Sequence, residues 1–149
     1  ITVLFLIAIW GLNRIKNSME GGDGHMIAGF GFFLVLLGSA AQLGEVAFTV
    51  ATADAVNTDL TVATAMLASG QAIGAISTTI TAIGFALIGI GILQQKNFTP
   101  LVAGLMIITG IVATAISLID YESQLMMIGY LGMVASLVWL GASLLRQED

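Results

Sequence analysis

Three side chains in this sequence have types and spacing suited to chemistry inside an apolar environment: Gln42, Glu45 and Gln71. Gln42 and Glu45 are three residues apart, so a helix puts them on one face, in line with Gly31, Val35 and Gly38. Gln71 opens a later apolar stretch at a similar depth. A carboxylate within a membrane is costly, and by default it marks a functional candidate. Two readings stand side by side. In the first, these residues form a polar intramembrane pocket in one leaflet, with Glu45 as a proton or cation site. In the second, Glu45 snorkels to the interface or pairs with Gln71, because roughly two turns separate it from the mid-membrane plane at about 1.5 Å per residue. The second reading asks for less.

Other reactive groups stand alone. His25 is the only histidine, so a bis-histidine haem site is excluded. Asp23 and His25 could share a metal ion, but a solvated helix start accounts for both, and acidic groups there complement the helix dipole. Met19, Met26, Met66, Met106, Met126, Met127 and Met133 form no ligand cluster by spacing and read as packing residues. With no cysteine, disulfides, thiolate metal sites and covalent haem attachment are excluded. Ser77, Thr78, Thr79 and Thr81 could line a water path, but hydroxyls in helices more often bond back to the preceding turn or reach a neighbouring helix. No apolar run holds a lysine for a Schiff base, and there is no phosphate-binding loop, GxSxG or HExxH. The expectation is no catalytic residue, no metal site and no cofactor.

The elements that position these residues follow from composition. Of 149 residues, 58% are hydrophobic and only 9% are charged. Soluble domains carry about 25% charged residues. The apolar residues fall into runs of about 20, the length that crosses a hydrocarbon core of about 30 Å. Strands of a membrane barrel would alternate apolar and polar residues over about ten positions, and these runs are continuous. The predicted fold is therefore all-α: a transmembrane helix bundle with four full spans plus the end of an N-terminal fifth, in a single membrane domain over 1–149. The spans are 1–12 (partial), 26–50, 60–93, 101–119 and 124–145. The opening stretch ITVLFLIAIWGL reads as the second half of a span that begins further upstream. Thr58 or Asp59 is placed to cap the third helix, and Pro100 suits the first turn of the fourth. The run 60–93 exceeds one perpendicular crossing, so it is either tilted or stands partly outside the bilayer.

Small residues mark the faces that meet. In the third span, Gly70, Gly74, Ser77, Thr81, Gly84 and Gly91 recur at steps of 4, 3, 4, 3 and 7. Such a face lets another backbone approach closely, which makes this span the expected centre of the bundle. Its expected mate is the face of Gly31 and Gly38. Further stripes run through Ala103, Gly110, Thr114 and Ser117, and through Gly129, Gly132, Ser136 and Ser143. Trp10 and Tyr121 fit as interface anchors.

Charge sets the direction. Arg14, Lys16, Lys96 and Arg146 all fall on one side of this topology, whereas Asp54, Asp59, Asp120 and Glu122 fall on the other. Positive residues favour the cytoplasm, which predicts a cytoplasmic C-terminus and outward-facing acidic loops. The net charge of −5 argues against nucleic acid as a partner.

The second half resembles a known family. GIGILQQKNFTPLVAGLMIITG joins a small-rich helix through a polar turn and a proline to a glycine-containing span, and the stretch closes on LVWLGASLLR. In this order of features, residues 83–145 are similar to a family of uncharacterised prokaryotic multi-pass membrane proteins, a domain of unknown function. That resemblance implies a prokaryotic plasma membrane and brings neither an activity nor site residues. The expected function is a non-catalytic, structural or accessory subunit of a membrane complex. Its partners are the lipid bilayer and other membrane chains or further copies of itself. The alternative is a small transporter or proton-coupled carrier with its polar site near Glu45.

Overall fold

In the computed structural model, residues 2–96 and 98–145 are described. Arg146, the basic residue expected after the last span, lies outside them, as do Ile1 and Asn97. Among the described residues five helices follow one another: α1 (Thr2–Asn17), α2 (His25–Ala55), α3 (Leu60–Gln95), α4 (Pro100–Ile119) and α5 (Met126–Leu145). Four of them, α2 to α5, are long and apolar enough to cross a membrane. The protein is an all-α, multi-pass membrane bundle.

Several boundaries differ from the sequence reading. Helix α1 continues through Asn13, Arg14 and Lys16 to Asn17, where a loop was expected. Leu12, Ile15 and Met19 are buried, so packing carries order past the last apolar run. Helix α2 likewise continues to Ala55, so the link to α3 is only 56–59. Asp59 takes the N-cap of α3, accepting from the backbone N–H of Thr61 at 2.9 Å and Val62 at 3.2 Å. Helix α3 ends on Lys96, whose φ of 58° is left-handed. Pro100 occupies the first turn of α4, as its missing N–H favours.

Helix α3 lies between α2 and α4, while α5 packs on α4 and α1 on α2. Twelve residues of α3 are buried, against five of α2. The reason is that α3 is covered on two sides, by α2 and by α4, and small residues let α2 come close. Gly24, at the N-cap of α2, and Gly31, Gly38 and Glu45 within it oppose Gly91, Gly84, Ser77 and Gly70 on α3, seven residues apart on each side of the seam. A Cβ built on Gly84 would lie 2.5 Å from the Gly31 carbonyl oxygen, and one on Gly31 would lie 2.6 Å from the Gly84 oxygen. Backbone meets backbone, so no side chain larger than hydrogen fits at either position. A seven-residue repeat keeps one seam in contact over the length of two supercoiled helices.

The α3–α4 contact repeats the device at the same seven-residue spacing. Gly89 faces the Ala103 carbonyl, Gly110 faces the Ala82 carbonyl at 2.6 Å from a built Cβ, and Ser117 donates to the Ala75 carbonyl at 2.7 Å. Gly129 and Gly132 of α5 meet Ala113 and Thr109 of α4. Each expected small stripe thus faces a neighbour, although Ser143 is only half-buried. Thr79, Thr81 and Thr109 donate to the carbonyl four residues back, at 2.7–2.9 Å, whereas the buried Ser39 and Thr114 hydroxyls find no partner among the described residues.

Helices α4 and α5, at 20 residues, are each about 30 Å long. Helices α2 and α3, at 31 and 36 residues, are about 46 and 54 Å. The α3–α4 register places the excess at one end. Ser117, near the end of α4, is level with Ala75, so residues 60–71 of α3 project about 17 Å beyond the α4–α5 turn.

Candidate functional site

Where the α4–α5 turn folds against that projecting hairpin there is a cavity of about 270 Å3. Its walls are Glu45 and Thr49 of α2, Leu67, Gly70 and Gln71 of α3, and Tyr121 and Glu122 of the turn. Glu45 occupies the position in the seven-residue series held by glycine at 24, 31 and 38. Its carboxylate lies over Gly74, where a built Cβ would stand 2.6 Å from the carboxylate carbon. Gly74 is therefore the space that admits a charged side chain to the seam.

The turn supplies the polar partners. The Tyr121 hydroxyl donates to Glu45 Oε1 at 2.9 Å. The Gln71 amide Nε2 donates to Glu122 Oε1. Glu45 and Gln71 thus share the cavity, but each bonds to the turn instead of to the other, so the Glu45–Gln71 pair, one of the alternatives read from sequence, does not form. The reason is geometric: adjacent residues of one tight turn can reach across α2 and α3 at the same time. Gln42 does not line the cavity. One helical turn further in, the Thr78 hydroxyl lies 3.1 Å from the Tyr130 hydroxyl. Tyr130 in turn neighbours Tyr121. A chain of polar groups therefore links Glu45, Tyr121, Tyr130 and Thr78 across α2, the turn, α5 and α3.

Burial raises the pKa of Tyr121 above its ordinary value, and the bonds to Tyr130 and Glu45 add to the rise. The phenol therefore stays protonated and serves as a donor throughout the physiological range. Tyr121, a half-buried turn residue, directs its hydroxyl to the Glu45 carboxylate. Trp10, by contrast, is 64% exposed, with the Arg14 guanidinium 5.7 Å above its ring.

Sequence reasoning missed the site roles of Tyr121 and Glu122. The signal was present: the charge-derived topology puts the turn on the same side as Glu45 and Gln71. Inward from Glu45 the seam closes, since a Cβ on Gly38 would stand 2.6 Å from the Ser77 carbonyl and would overlap the Thr81 hydroxyl. The cavity is blind on the inner side of Gly74. Two carboxylates, a phenol, an amide and a hydroxyl can accept and donate hydrogen bonds here. Among the described residues, no three His, Asp or Glu side chains are grouped to hold a metal ion. Comparison with protein-family models, curated proteins and solved structures returned no match, so the site is read from its geometry.

Proposed function

We propose that this chain is a non-catalytic membrane subunit that packs against partner chains. The observation that carries this reading is the arrangement of the bundle as a row. Helix α5 leans on α4 and leaves Met127, Leu131, Val134 and Val138 exposed at 56–67%. Most hydroxyls within the spans bond back to their own helix, while Thr78, Thr79 and Ser117 reach a neighbouring one, and the cavity described above does not continue inward past the Gly38–Ser77 contact. Native purification into nanodiscs is the test. The reading expects other membrane chains, or further copies of this one, in stoichiometric amounts. Recovery as a monodisperse monomer under conditions that preserve known complexes refutes it.

The proposed setting is a prokaryotic plasma membrane with the C-terminus in the cytoplasm. The resemblance of residues 83–145 supports the first part. The separation of Arg14, Lys16 and Lys96 from Asp54, Asp59, Asp120 and Glu122 supports the second. Because the chain has no cysteine, single cysteines at Asn17 and Asp54 probed with an impermeant thiol reagent in intact cells test the orientation directly. Labelling at Asp54 alone is expected, and labelling at Asn17 alone reverses the topology.

A second reading rests on the cavity itself. It is a small proton-coupled carrier in which Glu45 takes up a proton or a small cation from the outer side. It requires flux in proteoliposomes that Glu45→Gln abolishes, together with a motion that opens the seam below Gly74. Flux that persists in Glu45→Gln removes it.

A further inference from the structure

We propose that the α4–α5 turn is a lid over the Glu45 cavity, held shut by hydrogen bonds to two different helices. One latch is Tyr121 to Glu45 on α2, and the other is Gln71 on α3 to Glu122. The inference concerns the fold around Glu45 and stands apart from either functional reading.

Three observations support it. The first is where the turn is attached. The last buried residue of α4 is Ser117, tied to the Ala75 carbonyl at 2.7 Å, and burial resumes only at Met126. Between them every residue is exposed or half-buried. The turn's backbone bonds run among its own residues and the adjoining helix ends: Asp120 to Ile116 at 2.8 Å, and Ser123 to Asp120 at 3.1 Å. Side chains tie it to the hairpin through the two latches, and Tyr121 also reaches Thr78 on α3.

The second is what lies under the lid. On α2 no residue beyond Ser39 is buried, and on α3 only Ala63 and Gly70 are buried outside Gly74. Inner segments of the hairpin are locked backbone to backbone, whereas the cavity walls belong to its least packed part. Segments with few buried contacts open at the lowest free energy.

The third is the inequality of the latches. Glu122 is exposed, so its bond to Gln71 competes with water. Tyr121 and Glu45 are both half-buried, so their bond competes less with water. The exposed latch therefore yields first, and Tyr121 determines closure. Asp120 ends α4 with φ −157° and ψ 89°, an extended residue at which the turn can swing without unwinding the helix.

The experiment is a distance measurement between nitroxide pairs in nanodiscs, and the lack of native cysteine leaves the labels unambiguous. Labels at Gln124→Cys and Thr61→Cys span lid and hairpin. Labels at Val50→Cys and Thr61→Cys lie within the hairpin and serve as the control. In the parent a single short lid–hairpin distance is expected. Tyr121→Phe, which deletes one oxygen, is expected to raise a longer-distance population about tenfold, equivalent to about 1.4 kcal/mol. Gln71→Ala raises the same population by less, and gives an independent reading should Tyr121→Phe fold poorly. Unchanged lid–hairpin distances in these variants overturn the proposal. A matching change in the hairpin control also overturns it, because the whole hairpin would then have loosened.

Discussion

Replacing Gly84 with alanine adds one methyl group, and the structure sets what it meets. The new Cβ would stand 2.5 Å from the Gly31 carbonyl oxygen and 2.8 Å from the Val35 nitrogen. Both are backbone atoms of α2, so no rotamer change can relieve the contact. Reaching an ordinary separation of about 3.4 Å requires the helices to part by nearly 1 Å at this level. A gap of 0.5–1 Å forfeits about a quarter to a half of each dispersion contact along the seam. Overpacking of this kind costs about 1–3 kcal/mol. The reciprocal substitution, Gly31→Ala, meets the Gly84 carbonyl at 2.6 Å and the Ile88 nitrogen at 2.9 Å, and is expected to cost a similar amount. The double variant is the decisive case. Both methyls demand the same separation, so the pair should cost little more than either alone, a coupling that independent sites do not show. Gly29→Ala and Gly104→Ala supply the control, since nothing lies within 4 Å of a Cβ at either position. There the exchange should be neutral or stabilise by up to about 1 kcal/mol through helix propensity. Reversible unfolding in bicelles, followed by steric trapping, measures all five variants. Additive costs in the double variant, or equal costs at Gly29 and Gly84, refute backbone contact as the basis of the seam.

Gly74→Ala is expected to cost less than Gly84→Ala, because its Cβ meets the movable end of Glu45 and not backbone. It should instead displace the carboxylate, seen as a shifted carboxyl band in infrared spectra that disappears in Glu45→Gln. Asp59→Ala removes the two bonds capping α3 and is expected to cost about 1 kcal/mol. Hydrogen exchange should accelerate at the amides of Thr61 and Val62, and unaltered rates would contradict the capping role. Tyr121 has a raised pKa in the fold. Its contribution to stability is thus complete below the unfolded tyrosine value of about 10 and is lost as pH rises above it. Absorbance titration should show a phenol ionising later than a free tyrosine, a step that Tyr121→Phe deletes.

Much of the architecture was legible in the residues. Runs of about 20 apolar residues can satisfy their backbone in lipid only as helices, and the steps between Gly70 and Gly91 named the face of α3 that meets α2. Asp59 and Pro100 marked helix starts by local chemistry alone. Boundaries were harder where packing overrides polarity: Asn13, Arg14 and Lys16 belong to a helix because Leu12 and Ile15 beside them are buried. At the candidate site, spacing singled out Glu45 and Gln71 but grouped them with Gln42, which lies off the cavity. Sequence periodicity gives the face of a helix but not its rotation against a neighbour to within one residue.

What the sequence determined by itself, then, was the set of helices, their apolar lengths, their alternating direction and the surfaces narrow enough to touch. These depend on residues within a few turns of each other. What only the tertiary structure decided was the register of α2 on α3 and of α3 on α4. Register brings residues 76 apart, Glu45 and Tyr121, within a hydrogen bond. It also places the missing side chain of Gly74 under a carboxylate. A one-residue slip would put larger side chains, such as Phe30 or Phe32, Leu37, Ile83 or Phe85 and Ile90 or Ile92, where the seam has glycine. The fit of backbone against backbone excludes that, and the same fit fixes where the cavity can form.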